Sequence, residues 1–234
     1  MSYFVGQGVA RAALIIGFVF WSMLVFADEV EDVGSKIEAG IKAAEKGDYP
    51  EALKYFRPLA EGSNAEAQHN LAMIYRVGGH GIEKDLEESA KWFRLAADQG
   101  IADAQYYLGY MYDQGEGLQQ DSKYAYVWYR KAAEQGHALA QINLGVMYAN
   151  GAGVTQDIKE AYLWFHVAAA QGYDIALENK KIIEEALSAA DLEQLQEKTR
   201  EYFRLYVLPF GQPLSPHGSM EHQHNGDMGF TRGK

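Results

Sequence analysis

The 234-residue chain carries 32 acidic against 21 basic residues, a formal net charge of −11, with 48% hydrophobic and 13% aromatic content. That is enough apolar material for one ordinary domain or one short repeat array, and the acidic balance without a Lys/Arg cluster excludes a nucleic-acid partner, which needs a basic footprint to displace counterions. The absence of cysteine excludes disulfide stapling and thiol nucleophiles and argues against a lipid anchor on an N-terminal cysteine, so the fold must hold by packing alone.

At the N-terminus Arg11 precedes the apolar run Ala12–Val25, followed by Phe26, Ala27 and the acidic pair Asp28-Glu29. As a helix, residues 12–27 would span roughly 24 Å, short of the roughly 30 Å of a bilayer's hydrocarbon core. Val25 and Ala27 suit the −3 and −1 positions of a signal-peptidase site. Residues 1–27 are therefore expected to be a secretion signal cleaved after Ala27. That puts the mature chain in the periplasm or outside the cell, with membrane contact only before cleavage. The alternative is an uncleaved segment that anchors the chain in the inner membrane. Residues 28–34 read as a short linker.

From residue 35 the pattern is helical. Ser35–Lys46 reads as an opening helix, and Pro50 sits in the first turn of a second one that runs through Ala60, a tolerated place for proline. A repeat then becomes plain. Trp92, Trp128 and Trp164 are spaced by 36, as are Asp85, Asp121 and Asp157, and Gly100, Gly136 and Gly172. Ala67-Gln68, Ala104-Gln105 and Ala140-Gln141 follow at 37 and 36. The one-residue difference falls in the loop Val77-Gly78-Gly79-His80-Gly81, where extra length costs little.

Each unit reads as two helices. In the first, Ala104, Leu108 and Tyr112 recur at i, i+4 and i+8 on one face. The small residue after the leucine (Ala72, Gly109, Gly145) admits a close neighbour, and Gly115-Glu116-Gly117 and Gly151-Ala152-Gly153 end the helix. In the second, Ala125, Trp128, Tyr129, Ala132 and Ala133 form a stripe, which assigns the three tryptophans to the core. Asp85 with Glu88 and Asp157 with Glu160 read as capping boxes, Asp121 as an N-cap alone, and Gly100, Gly136 and Gly172 as stops. Beyond Gly172, residues 175–187 begin another first-type helix. Ser188 then caps a polar closing helix, Ala189 to Tyr206, expected to cover the last apolar face. The tail 207–234, rich in proline and glycine, is expected to be disordered.

The pattern Ala-Gln-x-x-Leu-Gly, as in Ala140-Gln141-Ile142-Asn143-Leu144-Gly145, recurs with Gly151-Ala152-Gly153-Val154 and Ala161-Tyr162-Leu163-Trp164-Phe165. Together these resemble the Sel-one-like repeat family, relatives of tetratricopeptide repeats. The first unit departs from the pattern with Ala72 for glycine and Ser89 for alanine. The resemblance implies an all-α fold over 35–206, a right-handed α-solenoid of antiparallel helix pairs. Full repeats fall at about 64–100, 101–136 and 137–172, with flanking capping helices. It implies a scaffold or adaptor with a concave groove and no catalytic residue. In the related tetratricopeptide architecture the first helix of each unit lines that groove. Carrying the spacing over gives Glu66, His69, Met73 and Arg76; then Asp103, Tyr106, Tyr110, Asp113 and Gln114; then Leu139, Ile142, Val146 and Asn150. The alternative is that Tyr106, Ile142 or Val146 packs between helices.

No chemistry competes with this reading. The Gly-rich turns follow helices and lack a Gly-Lys-Ser/Thr, so they are helix stops rather than phosphate cradles. No Gly-x-Ser-x-Gly or His-Glu-x-x-His occurs. His69, His80, His137 and His166 fall at four different repeat positions, and His217, His222 and His224 lie in the tail without a rigid setting. No catalytic residue, metal site or cofactor is expected. The expected function is an exported, non-catalytic protein–protein interaction scaffold in the bacterial cell envelope, with a protein or peptide partner. The alternatives are a fixed subunit of an envelope assembly, such as a flagellar motor or polysaccharide-export complex, or a peptidoglycan or β-lactam hydrolase. Cysteine-rich relatives suggest the hydrolase, but this chain lacks their cysteines.

Overall fold

The structure, a computed structural model, describes residues 32–210; the expected signal segment, most of the linker and the tail from residue 211 lie outside the described residues. The described chain is a right-handed α-solenoid. Its helices are α1 (32–45), α2 (Tyr49–Glu61), α3 (Ala65–Val77), α4 (Leu86–Asp98), α5 (Ala102–Gln114), α6 (Ser122–Glu134), α7 (Ala138–Asn150), α8 (Ile158–Ala170), α9 (Asp174–Ala186) and α10 (Ala189–Tyr206), followed by the 3-10 turn Leu208–Phe210. Odd-numbered helices are the first helices of each pair and even-numbered ones the second, and from α2 to α9 each helix packs on the next. Helix α1 starts at residue 32, three residues before the sequence placed it, so the expected linker is partly helical.

The helix starts are chemically explicit. Side chains of Asp48, Asn64, Asp85, Asp121, Asp157 and Ser188 accept first-turn backbone N–H groups, which satisfies donors that a helix leaves unpaired. The reciprocal half of the expected capping boxes is absent. Glu88 accepts from the Trp92 indole at 2.9 Å and from Lys91 at 3.0 Å, and Glu160 accepts from Tyr202 at 2.7 Å. The glutamates serve side chains rather than the backbone at their own N-caps.

The small residues of the repeated motif form the seam within each helix pair. A Cβ on Gly40, Gly109 or Gly145 would lie 2.5, 2.8 and 2.7 Å from the rings of Phe56, Tyr129 and Phe165, so glycine here is an approach distance. In the first full unit, Ala72 stands at this place, and the Ser89 hydroxyl donates to its carbonyl at 2.8 Å. The two departures from the pattern therefore meet in one buried bond. The second turn glycines have a different reason. Gly117 and Gly153 hold φ of 65° and 70°, and a Cβ would meet the carbonyl oxygens of Leu86 and Ser122 at 2.2 and 2.1 Å.

The Ala-Gln pair is an inter-helix clamp. Gln68, Gln105 and Gln141 are buried and donate to the carbonyls of Ala60, Ala97 and Ala133 at 3.0, 3.0 and 3.1 Å. Each accepts at 2.7 Å from Gln99, Gln135 and Gln171, which cap the following second helices. A buried amide with both ends engaged costs little and fixes the stacking register.

One expectation needs correction. Trp128 and Trp164 are buried, but Trp92 is only partly so and hydrogen-bonds Glu88 at the edge. Helix α10 lies over the last second helix. It packs chiefly on α8 and reaches α6, with Leu195 in the core cluster of α8 and the rings of Tyr202 and Tyr206 5.2 and 5.0 Å from Trp164. Its path continues past the expected start of the tail. Val207 is buried, and Phe210 lies against Gly136.

Candidate protein-binding groove

The repeat interval defines lines of equivalent positions along the first helices. One line runs Glu66, Asp103, Leu139, Ile175; another runs Met73, Tyr110, Val146, Ile182. Toward the C-terminal end both lines are open and aliphatic. Leu139, Val146, Ile175 and Ile182 are 41, 39, 52 and 64% exposed, four large apolar side chains at equivalent positions of two successive first helices. Large apolar side chains exposed on one repeated face mark a candidate interaction surface.

Toward the N-terminal end the second line closes at Met73, while Glu66 on the first stays partly exposed. His69 and Met73 are buried, contrary to their placement in the groove. The His69 ring lies 5.6 Å from Phe93 and 6.1 Å from Tyr107, so these rings roof it over, and Met73 joins the central core cluster. Ile142 is buried as well, turned onto α8 beside Leu163 and Phe165. His69 and Ile142 share a reason, which is register: position i+3 from Glu66, Asp103 or Leu139 faces the seam with the second helices, whereas Met73 stands on the line of Tyr110 and Val146 and is covered by the central core. Tyr106, at the same place in α5, is half-buried. It stacks on His137 with centroids 4.5 Å apart and touches Tyr107 and Tyr129, and burial pushes its hydroxyl pKa up to about 12.

Arg76 is engaged within the protein. Its guanidinium lies 5.0 and 5.4 Å from the centres of Tyr107 and Tyr110, and its Nη2 is 3.8 Å from Glu116, an arrangement in which ring faces and a carboxylate share one cation. Asp103 accepts from His137 Nε2 at 3.2 Å. Burial works against its charge, but the His137 hydrogen bond and the charges of His137 and His69 outweigh it and hold the carboxyl below the usual carboxylate range. His137 Nδ1 meanwhile accepts from Ala140 N at 3.2 Å and caps α7. Glu66, Tyr110 and Asp113 are partly exposed, and Gln114 and Asn150 are exposed. The first-helix face is thus acidic and aromatic at α5 and aliphatic at α7 and α9.

Ile175 and Ile182 were not among the groove residues expected from sequence. The signal was present, since both lie 36 residues beyond Leu139 and Val146, but α9 lacks the Ala-Gln motif and so falls outside the repeat pattern. Elsewhere, a cleft of about 790 Å3 opens between Arg57, Tyr75, Lys84 and Glu87, where Arg57 already donates to Tyr75 at 2.7 Å. Among the described residues no group of three or more His, Asp or Glu side chains is placed to hold a metal.

Comparison with known proteins agrees with this architecture. Among solved structures, the chain resembles a protective antigen of uropathogenic Escherichia coli with an SLR fold, at 28% identity and a TM-score of 0.53 over 78% of this chain. The chain spans about half of that protein, 48% of its length. It also resembles a Sel1 repeat protein from Oxalobacter formigenes, at 36% identity and a TM-score of 0.51, covering 55% of this chain and 96% of that one. No curated protein matches. The Sel1 repeat family matches residues 38–64, 65–101, 102–137 and 138–173, so the opening pair α1–α2, with its Gly40–Phe56 seam, counts as a repeat beside the three that the sequence pattern delimits. Over more than half its length, and at every seam just described, the chain belongs to the Sel1 repeat family.

Proposed function

We propose that the chain is an exported, non-catalytic scaffold of the bacterial cell envelope that holds a peptide segment of another protein along its first-helix face. Sel1 repeats generally mediate protein–protein interactions. The observation that carries the specific reading is the aliphatic patch of Leu139, Val146, Ile175 and Ile182 beside the Asp103, Tyr110 and Asp113 line of α5. A segment with aliphatic side chains followed by cationic ones matches both parts. Tyrosine supplies contact area at a small entropic cost. Export is supported by the arrangement of residues 1–27 and is checked by the N-terminal mass of the mature protein, expected to begin at Asp28.

Co-purification from envelope fractions tests the docking surface. Val146→Lys with Ile182→Lys should abolish recovery of the partner while leaving the unfolding midpoint unchanged, because both side chains are already exposed. Tyr110→Ala should weaken it. Full recovery with both lysines in place removes this face from consideration.

A further inference from the structure

The joint between α9 and α10 is built unlike the other described joints. It consists of Leu187 and Ser188, both extended, with ψ of 145° and 157°. It holds no glycine, no proline and no residue of positive φ. Every other described joint holds at least one residue of positive φ, from Gly47 after α1 to Gly172 after α8, a conformation that a right-handed helix does not take up. The neighbours of this joint are Glu184-Glu185-Ala186 and Ala189-Ala190, strong helix formers on both sides. Polar contacts hold the bend. Ser188 Oγ accepts from Asp191 N at 3.1 Å and donates to the Asp191 carboxylate at 2.7 Å. That carboxylate in turn meets Lys159 Nζ of α8 at 2.5 Å.

Beyond the joint, α10 depends on α8 and α6 for its packing. Of its 18 residues, Leu195 and Thr199 are buried, and Tyr202 and Tyr206 lie against Trp164. Docking leaves one donor on α8 without a partner. In α4, Trp92 donates its indole N–H to Glu88, four residues before it, at 2.9 Å. The equivalent pair in α8 is Trp164 and Glu160, but Glu160 accepts from Tyr202 of α10 at 2.7 Å. The buried Trp164 Nε1 has no hydrogen-bond partner among the described residues. An unpaired buried donor opposes the docked state. Withdrawal of α10 frees Glu160 for the indole and offsets part of the contacts that are lost.

We propose that α10 is an exchange arm between two copies of this chain. Leu187 and Ser188 become helical, α9 and α10 fuse into one helix, and each α10 docks on the α8 of the other copy. The covered face of α8 names its occupant, because a second copy brings the same Asp191, Leu195, Tyr202 and Tyr206 to it. Contacts broken on opening are remade between copies, so association entropy is the main cost. Short joints favour such exchange. A continuous helix over residues 174–206 is about 50 Å long, and its second half, being straight, cannot turn back onto the α8 of its own chain.

The chain has no cysteine, so Lys159→Cys and Asp191→Cys each give a full-length chain with a single thiol. The two variants are unfolded, mixed and refolded at high concentration, and the dimer fraction is treated with a short bismaleimide. A mixed cross-link between the variants is expected, and neither variant refolded alone should give the cross-linked pair. The unsubstituted chain refolded in the same way should contain a dimer that persists after dilution, since reversal requires α10 to leave α8. Ser188→Ala removes the cap that holds the bend and should raise the dimer share several-fold. Ser188→Pro suits the bent joint, with φ of −72° after an extended Leu187, but cannot extend a helix; it should abolish the dimer. Monomer at every concentration, in the parent chain and in Ser188→Ala, overturns the proposal. A dimer without the mixed cross-link, or one that Ser188→Pro leaves intact, overturns it too, because another face would be holding the copies together. The first-helix face takes no part in this readout, so its outcome is independent of the scaffold reading.

Discussion

The two ends of the first-helix face share a repeat register and differ in kind. At α3 and α5 the side chains interlock: Tyr107 roofs His69, Arg76 lies over two tyrosines, and His137 ties Asp103. At α7 and α9 the positions equivalent to Asp103 and Tyr110 hold exposed aliphatic side chains, up to the 64% exposed Ile182. At the second line Tyr110 lies under the Arg76 guanidinium, whereas Val146 and Ile182 at the equivalent positions stay open. A repeat fixes where side chains stand, and their neighbours decide whether the surface is core or docking site.

Perturbations of the scaffold sharpen this contrast. The largest effect is expected at Trp164, which holds α10 through Tyr202 and Tyr206. Trp164→Ala should cost about 3–5 kcal/mol in urea unfolding, and coupling between neighbouring repeats would spread the loss. Trp92→Ala, at the partly exposed edge of α4, should cost clearly less, and equal losses would break the distinction between covered and uncovered second helices. Next is the glutamine clamp: Gln105→Ala strands the Ala97 carbonyl and the Gln135 amide, for about 1–3 kcal/mol. Exposed Gln114→Ala should stay within about 0.5 kcal/mol. At the seams, Gly145→Ala pushes a Cβ into the Phe165 ring and should cost about 1–3 kcal/mol. Gly34→Ala, where a Cβ meets nothing within 4 Å, should instead stabilise α1 by about 0.5–1 kcal/mol.

The pH response separates the C-terminal end from the rest. Burial lowers the pKa of His166, Lys180 adding to the effect and Glu184 opposing it. The folded state therefore prefers the neutral ring, and the unfolded state takes up a proton below about pH 6.5. Stability from this group is present above that pH and is lost as the pH falls toward the depressed folded value. Thermal melts of His166→Gln should show a flatter decline below pH 6.5 than the parent chain, and identical declines would assign the acid loss elsewhere.

Most of the architecture was legible in the sequence, because the device is periodic. Tryptophan, aspartate and glycine at one interval mark helix faces, starts and stops, and small residues after a leucine mark seams. Three features were not legible, and each depends on what lies opposite a residue. Asp103 and His69 belong to the same expected surface, yet only the approach of Tyr107 and Phe93 buries His69. Ser89 looked like a departure until Ala72 lay across from it. The path of α10 over α8, which leaves Ile175 and Ile182 open, has no counterpart in the repeat. Within the groove set, His69 and Ile142 went inside because the line of exposure follows Leu139 and Val146 rather than the residue three places after Leu139, and Met73, on the Val146 line, went inside because the central core closes over it.

The most direct test of the docking face compares two exposed valines, Val146 on α7 and Val127 on the second helix α6. A photo-crosslinking residue placed at each in turn, in living cells, should trap the same protein partner from position 146 and leave position 127 without it. Trapping from position 127 alone would put recognition on the opposite face of the solenoid and contradict the groove.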